Sequence, residues 1–213
     1  MVILSESNSI ANSFLAEMRS VNTQKDPLRF RRNMERLGEI LAYEISKTLS
    51  YKVNYITTPL GIAQASEPEA QPVLATVLRA GIPFHQGFLN YFDRAENAFV
   101  GSFRNKTDEE TFDIKTEYLS SPSLADKVLI LTDPMLATGK SMQEAVLHLK
   151  KYGEPSSIHI ASIIASQEGV AHIQETLPDA HVWAVAVDDT LNAKKYIMPG
   201  LGDAGDLAYG SKL

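Results

Sequence analysis

The stretch Val128-Leu-Ile-Leu-Thr-Asp133-Pro-Met-Leu-Ala-Thr-Gly-Lys-Ser141 determines the fold class of this chain. Its first four residues are apolar without alternation, which is typical of a strand buried on both faces of a parallel sheet. A short loop follows, and a helical pattern begins near Ser141. The start of a helix presents unpaired backbone N–H groups and the positive end of the helix dipole, where a phosphate can bind. The stretch therefore predicts a strand–loop–helix unit for phosphate binding, with hydroxyl donors from Thr138 and Ser141.

Asp133 lies at the predicted carboxyl end of this strand. Ligands of open α/β sheets bind at that end of the strands. A carboxylate beside a phosphate site suits sugar hydroxyls or a magnesium ion. We therefore expect Asp133 to face a ligand, although a strand–helix turn without a ligand would share the same local pattern.

Two other phosphate-binding motifs resemble parts of this sequence and fail on detail. Gly139-Lys140-Ser141 matches the end of a Walker A loop, but that motif needs a glycine at position 134, where proline stands. Gly200-Leu-Gly202-Asp-Ala-Gly205 matches the letters of a dinucleotide fingerprint. That fingerprint requires a following helix and an acid about 20 residues later, and only eight residues follow Gly205. We interpret these glycines as allowing the backbone to approach a flat or small ligand.

Three further apolar runs share the character of the first and alternate with helical patterns. The runs are Val73–Leu78, Ile158–Ile164 and Val182–Val187, and the helical segments are about 81–91, 141–152 and 167–177. Alternation of buried strands with helices predicts an α/β fold with a doubly wound, mainly parallel sheet.

The remaining segments predict additions to that sheet within one domain, residues 1–213. N-terminal helices are expected within 7–50, where apolar residues recur at helical spacing, first at Ile10, Phe14, Met18 and Val21, then from Phe30 to Ile45. A β-hairpin arm is expected at about 98–118, around the polar stretch Arg104–Glu110.

Composition and charge exclude several classes of protein. The chain has 213 residues and no cysteine, which excludes disulfide scaffolds, cysteine nucleophiles and Cys-ligated metal sites. Its net charge of −6 disfavours general binding to nucleic acid or anionic membrane. No basic apolar leader and no run of about 18 apolar residues is present, so we expect a cytoplasmic protein without a membrane span.

Four stretches resemble the type I phosphoribosyltransferases, and specifically their uracil phosphoribosyltransferase family. Residues 133–141 resemble the loop that binds phosphoribosyl pyrophosphate (PRPP), and 77–81 resemble the Leu-Arg-Ala-Gly turn. Gly101-Ser-Phe-Arg104 with Glu109-Glu-Thr resembles the arm, and 196–206 in the region 188–213 resemble the C-terminal uracil loop. The resemblance covers nearly the whole chain and implies the type I phosphoribosyltransferase fold.

The resemblance implies the reaction uracil + PRPP → UMP + pyrophosphate in pyrimidine salvage, with Mg²⁺ held mainly by PRPP. It assigns the ribose and 5-phosphate of PRPP to Asp133, Pro134, Met135, Leu136, Ala137, Thr138, Gly139, Lys140 and Ser141. It assigns pyrophosphate to Arg79 and Arg104, and uracil to Ile197, Gly202, Asp203 and Ala204, with Asp203 also facing PRPP. The implied catalytic residues are Arg79, Arg104, Asp133 and Asp203. It also implies a homodimer or larger homo-oligomer and names GTP as a candidate effector.

The chemistry of the reaction fits these residue types. Pyrophosphate leaves as a dense anion, which two arginines and Mg²⁺ can stabilise. The ribosyl carbon becomes cationic in the transition state, and a nearby carboxylate such as Asp133 or Asp203 favours that charge. The chain departs from the common family pattern at Lys140, Leu207 and Asn105, where glycine, arginine and aspartate are usual.

Three alternative functions remain open at this point. A regulator of the same fold that binds PRPP or UMP and controls pyrimidine genes through RNA would need a basic face, which a net charge of −6 disfavours. A transferase for another nucleobase is disfavoured by the C-terminal loop. A PRPP-binding domain without catalysis is compatible with the three departures.

Overall fold

A mainly parallel sheet forms the centre of the structure, a computed structural model that describes residues 1–106 and 112–211. The strands are β1 (Val2–Ile3), β2 (Tyr51–Thr58), β3 (Gly61–Pro68), β4 (Val73–Leu78), β5 (Glu96–Lys106), β6 (Phe112–Ser120), β7 (Val128–Thr132), β8 (Met135–Leu136), β9 (Ser157–Ser166), β10 (Ala180–Asp188), β11 (Thr190–Leu191) and β12 (Ile197–Met198). The central sheet has the order β1-β10-β9-β7-β4-β5-β6, and β8 pairs alongside β9. Neighbours in this sheet are parallel except β5 and β6. This arrangement confirms the predicted doubly wound α/β fold.

Helices cover both faces of the sheet. They are α1 (Ile10–Arg19), α2 (Pro27–Ser46), α3 (Ile82–Leu89), α4 (Lys140–Leu149), α5 (Gln167–Thr176) and α6 (Ala204–Tyr209). Leu74 of β4 packs in the apolar cluster beneath α1, α2 and α3. Its neighbours Val73 and Ala75 pack in the cluster beneath α4 and α5. Successive residues of the strand are therefore buried on opposite faces, which explains the absence of polar alternation in the sequence.

The first helix buries only part of the predicted face. The sequence pattern placed Ile10, Phe14, Met18 and Val21 on the buried side. In the structure Met18 is buried and Phe14 is partly buried against the same core, as predicted. Ala11 and Leu15 are buried as well, whereas Ile10 is 61% exposed and Val21 lies beyond the end of α1.

Helices α2 and α3 approach each other at two glycines. A Cβ atom on Gly38 would lie 2.3 Å from the carbonyl oxygen of Phe84, and one on Gly87 would lie 2.1 Å from that of Glu35. Neither position can hold a larger residue without separating the helices. This contact positions α3, which follows the turn that contains Arg79.

The parallel pair β4–β7 sets the relative height of two loops that follow these strands. Its register aligns Val73 with Leu129 and Thr76 with Thr132. Thr76 Oγ1 donates to the carbonyl of Thr132 at 3.1 Å, and Thr132 Oγ1 donates to the carbonyl of Ala75 at 3.1 Å. Both threonines are fully buried, so each hydroxyl satisfies its hydrogen bond across the pair.

The predicted arm is present as the antiparallel pair β5–β6. Its two strands extend somewhat beyond the predicted bounds, and the register shifts between Gly101 and Ser102. Residues 107–111, which include most of the predicted polar stretch, lie outside the described residues.

A second hairpin, β2–β3, was not predicted. Its residues are mostly exposed on both faces, and its two strands pair with each other outside the central sheet. Exposed apolar residues occur along it, including Tyr55, Leu60 and Ile62. In the part of the chain that the structure describes, no helix has both the length and the apolar character needed to cross a membrane.

Candidate active site

A cleft of about 450 Å³ lies at the carboxyl ends of β4 and β7. This is the edge where ligands bind in parallel α/β sheets, and the volume is within the range of small-molecule sites. Three segments line the cleft: the turn after β4, the 133–141 loop after β7, and the 197–204 loop near the C-terminus. The fold therefore brings three segments that are distant in sequence to one cleft, which is large enough for a small-molecule ligand.

The 133–141 loop leads into α4 through a left-handed glycine. Gly139 has φ 78° and is the N-cap of α4, and within the described residues no side chain caps this helix. A Cβ atom at Gly139 would lie 2.9 Å from the carbonyl oxygen of Gly169, so the position requires glycine for both conformation and space. The backbone N–H groups of the first turn are thereby available to a ligand in the cleft.

Asp133 begins the loop and shapes its first turn. Its Oδ1 accepts a hydrogen bond from the backbone N–H of Met135 at 3.2 Å. Pro134 is buried, and its carbonyl accepts hydrogen bonds from the N–H groups of Ile163 and Ile164. These bonds attach the start of the loop to β9, so that the Asp133 carboxylate lies at the cleft.

Helix α5 supports the same loop from behind. Ser166 Oγ donates to the carbonyl of Ala137 at 2.5 Å and accepts from the N–H of Gly169 at 2.9 Å. A Cβ atom at Gly169 would lie 2.4 Å from that same carbonyl of Ala137, so α5 packs directly against the loop. Ser166 therefore caps α5 and attaches the loop to the sheet with one hydroxyl group.

Arg79 projects from the turn after β4 towards the C-terminal helix α6. Its Nη2 donates to Asp206 Oδ1 at 3.3 Å and to the carbonyl of Gly210 at 3.2 Å. Its Nε is buried and has no hydrogen-bond partner among the described residues. The nearby Tyr209 has its pKa raised by burial, and the positive charges of Arg31 and Arg79 partly oppose that rise. Arg79 thus retains donor capacity for an anion at the cleft.

The 197–204 loop presents backbone atoms to the cleft. It contains a cis peptide bond at Met198–Pro199, as the turn after β4 does at Leu78–Arg79. Gly202 has φ 95°, and little surrounds the position that its Cβ would occupy. Asp203 caps α6 by accepting the N–H of Asp206 at 3.0 Å, and its side chain also lines the cleft.

Most of the site residues expected from the sequence meet in this cleft. Those that line it are Arg79, Asp133, Met135, Leu136, Ala137, Thr138, Gly139, Ser141, Ile197, Gly202, Asp203 and Ala204. Pro134 lies behind the loop, and Lys140 is exposed on the first turn of α4 outside the cleft lining. The side chain of Arg104 lies outside what the structure describes. The ligand contacts of all these residues stay predictions.

The cleft also includes residues that sequence reasoning did not select. They are Val77, Leu78, Ala80, Met142, Lys194, Lys195, Tyr196 and Gly205. Most of them lie within the 77–81 and 196–206 motifs, where the resemblance gave them no ligand role, and Met142 directly follows the 133–141 loop. Lys194 and Lys195 belong to a tight turn in which Asn192 Oδ1 accepts the N–H groups of Lys194 and Tyr196. This turn places Lys194 and Lys195 at the cleft, where the Lys195 ammonium forms an ion pair with Glu168 at 3.3 Å.

His85, the histidine nearest to the Arg79 turn in sequence, does not line the cleft. It is buried in α3, and its Nε2 forms a hydrogen bond with Asn97 Oδ1 at 2.8 Å. Burial lowers the pKa of His85, and the bond to Asn97 only partly opposes that effect. A neutral imidazole between α3 and β5 fits a structural role.

Comparisons with known proteins find relatives that match nearly the whole length of the chain. A family model described as uracil phosphoribosyltransferase matches residues 5–211. The uracil phosphoribosyltransferase of Porphyromonas gingivalis is 56% identical over 214 residues, which cover 100% of this chain and 99% of that protein.

Solved structures extend the similarity to the fold. The AQ2163 protein from Aquifex aeolicus aligns with a TM-score of 0.87 and 30% identity, over 98% of this chain and 97% of that one. The orotate phosphoribosyltransferase of Mycobacterium tuberculosis in complex with PRPP aligns with a TM-score of 0.55 and 14% identity, over 88% and 95%. The second match concerns the fold alone and confirms the expected type I phosphoribosyltransferase architecture.

Replacement of Ser166 by alanine should loosen the 133–141 loop. We expect the free energy of unfolding to fall by about 1–2 kcal/mol, because the variant loses both a helix cap and a buried hydrogen bond. We also expect weaker binding of PRPP. Urea unfolding and calorimetric titration with PRPP measure the two effects.

Thr176→Ala is the matched control for this change. Thr176 is the last residue of α5, at the end opposite to Ser166, and donates one hydrogen bond to the carbonyl of His172. We expect it to alter stability without altering PRPP binding. Equal PRPP affinity in Ser166→Ala and Thr176→Ala would show that Ser166 does not hold the loop.

Proposed function

The chain belongs to the uracil phosphoribosyltransferase family, and we propose that it transfers the 5-phosphoribosyl group of PRPP to uracil, forming UMP and pyrophosphate. One observation carries this proposal. The 133–141 loop, Arg79 and the 197–204 loop line a single cleft, so sites for a phosphate, a pyrophosphate and a base are adjacent. The reaction is a glycosyl transfer, which requires that arrangement of two substrates.

The two loops divide the binding of the substrates. Backbone N–H groups at the start of α4, with the hydroxyls of Thr138 and Ser141, bind the 5-phosphate of PRPP. Backbone N–H and C=O groups of the 197–204 loop match the carbonyl and N–H groups on the edge of uracil. The reacting atoms are thereby held together without a covalent intermediate on the protein.

The charged groups act on the transition state. As the bond to pyrophosphate breaks, negative charge grows on the leaving group, and Arg79 with Arg104 stabilises it. Positive charge grows on the ribosyl carbon, and the carboxylates of Asp133 and Asp203 at the cleft favour it. Arg79 must turn part of its guanidinium from Asp206 towards the ligand, which costs little because both side chains of that pair are 38% exposed.

The residues at the cleft fit a Mg²⁺ ion that arrives with PRPP. Within the described residues, no group of three or more histidines and carboxylates converges to hold a metal ion. Mg²⁺ commonly binds through substrate phosphates with one or two carboxylates, and Asp133 and Asp203 could supply them. When bound, the ion neutralises charge on the pyrophosphate.

A direct assay tests the proposed function. The protein is incubated with PRPP, Mg²⁺ and labelled uracil, beside reactions with cytosine, hypoxanthine and orotate. We expect UMP from uracil and little product from the other bases. Higher turnover of a purine would assign the protein to another base, and absence of product from folded protein that binds PRPP would favour a regulator or a binding domain.

Replacement of Arg79 by alanine should reduce catalysis with little loss of folding. We expect kcat/KM for PRPP to fall about 100-fold or more, because a preorganised donor to the leaving pyrophosphate is removed. Steady-state rates and thermal unfolding measure the two properties. Arg94→Ala, an exposed arginine outside the cleft lining, is the control and should leave both unchanged. Equal rates for the two variants would remove Arg79 from the proposed mechanism.

We also propose that the protein is a cytoplasmic homodimer or larger homo-oligomer. The lack of cysteine suits a reducing compartment. An isolated two-stranded hairpin is marginally stable in water, and β2–β3 exposes Tyr55, Leu60 and Ile62 at 74%, 100% and 77%. A second copy of the chain packed on this hairpin would stabilise it. Activation by GTP stays a prediction from the family resemblance.

Substitution in the hairpin should dissociate the oligomer. We expect the wild type to be a dimer or larger and Ile62→Lys to shift the population to monomer, because a charge would be buried in the interface. Size-exclusion chromatography with light scattering measures the mass. Leu28→Lys, at a residue 70% exposed on α2, is the matched control and should keep the wild-type mass. A monomeric wild type, or an unchanged Ile62→Lys oligomer, would contradict the assigned interface.

A further inference from the structure

Arg19 and Asp188 form an ion pair directly behind the 197–204 loop, and we propose that this pair positions the loop for its base. The inference rests on the proposed function, in which this loop binds uracil. Arg19 is the last residue of α1, and Asp188 is the last residue of β10. Their guanidinium and carboxylate make two parallel hydrogen bonds, of 2.8 Å to Oδ2 and 2.7 Å to Oδ1.

The pair is placed in the interior of the protein. The side chain of Asp188 is 7% exposed and that of Arg19 is 24% exposed. Loss of one partner from a buried pair leaves an uncompensated charge, so the geometry is strongly constrained. A planar guanidinium with two bonds to one carboxylate also fixes orientation, which a single lysine ammonium does not.

Both members of the pair bind the backbone of Gly200. Asp188 Oδ2 accepts the Gly200 N–H at 2.9 Å, and Arg19 Nη1 donates to the Gly200 carbonyl at 3.0 Å. Gly200 has φ 58°, and a Cβ atom there would lie 2.1 Å from the carbonyl of Ile197. The backbone N–H and the backbone carbonyl of Gly200, which has a left-handed conformation, are thus both hydrogen-bonded by one ion pair.

A third residue extends the contact to the next position. Gln24 Nε2 donates to the carbonyl of Leu201 at 3.3 Å, and to the carbonyls of Met18 and Arg19 at 3.0 and 3.2 Å. Side chains from the N-terminal region therefore hold Gly200 and Leu201 from behind. Gly202, Asp203 and Ala204 then follow at the cleft.

The ion pair fixes the backbone of the 197–204 loop relative to α1 and β10. In the proposed function, backbone atoms of this loop bind the base. Asp188 is fixed by the sheet and Arg19 by α1, so Gly200 has a defined place relative to the 133–141 loop. A site that recognises its ligand through backbone groups loses affinity when that backbone shifts by a fraction of an ångström. Arg19 and Asp188 are accordingly positioning residues that act through Gly200.

A second ion pair of the same helix provides the matched control. Arg29 bonds to Glu17 through Nε and Nη2 at 2.8 and 2.6 Å, with the same two-point geometry. This pair is more exposed, at 51% and 31%, and it joins α1 to α2. Hydrogen bonds from Arg29 and Asn33 lower the pKa of Glu17 to about 2. The two pairs share chemistry and differ in their contact with the loop.

The test compares Arg19→Lys with Arg29→Lys in the full-length protein. For Arg19→Lys we expect KM for uracil to rise about tenfold and KM for PRPP to rise several-fold less, because the displaced loop holds the proposed uracil contacts but only one proposed PRPP contact, Asp203, while the 133–141 loop stays in place. Arg29→Lys should leave both KM values at wild-type level. An equal rise of the two KM values in Arg19→Lys, or no rise beyond that of Arg29→Lys, would overturn the proposal.

A milder variant covers the case in which Arg19→Lys does not fold, and a binding measurement gives a readout that does not depend on turnover. If Arg19→Lys does not fold, Gln24→Met removes one contact to the loop without unpairing a charge, and it should raise KM for uracil more than KM for PRPP. Calorimetric titration with UMP and with PRPP measures the two affinities directly, without turnover. Equal losses of affinity for the two ligands would contradict a role of the pair in positioning the 197–204 loop. If the wild type uses another base in place of uracil, the proposed function fails, and the positioning role is then judged on the KM of that base.

Discussion

The parallel pairing of β4 with β7 is the constraint on which the whole site depends. The hydroxyl groups of Thr76 and Thr132 donate across this pair, to the carbonyls of Thr132 and Ala75, near the carboxyl ends of the strands. Asp133 directly follows β7, and Arg79 directly follows β4. A shift of one residue in this register would turn each strand's buried side chains to the opposite face. It would also separate the two loops that now share a cleft. Gly81 belongs to the same constraint, since its Cβ would lie 2.1 Å from Thr76 Oγ1.

The proposed ligand contacts in this cleft are mainly with the protein backbone, and side chains behind the backbone determine where that backbone lies. Ser166 supports the 133–141 loop, and the pair Arg19–Asp188 supports the 197–204 loop. Glycines at 139, 169 and 200 allow the close approaches that these supports require. Sensitivity to substitution should therefore be greatest at glycines and supporting residues, several of which never touch the ligand.

The parts of the structure that could be predicted from sequence are those set by neighbouring residues. The strand, loop and helix of 128–149 are contiguous, so apolar runs and small residues identified both the fold and one half of the site. Hairpin β2–β3 was not predicted, although Tyr51, Val53 and Tyr55 alternate with polar residues before a turn at Gly61. Both faces of the hairpin are exposed, so it belongs neither to the buried sheet nor to its core. Arg19 and Asp188 are 169 residues apart, and no local pattern links them.

The large separation of Arg19 from its partners bears on the order in which the site is completed during synthesis. The bond from Ser166 to the 133–141 loop spans 29 residues, whereas the bond from Arg19 to Gly200 spans 181. A nascent chain makes its short-range contacts first, and the long-range ones must wait for the later segment and bear a larger cost of chain closure. The 133–141 side of the cleft can thus form while the 197–204 loop is still being translated. We expect activity to emerge only after Gly200 has joined Arg19, since before that stage the growing chain has one wall of the cleft without the other.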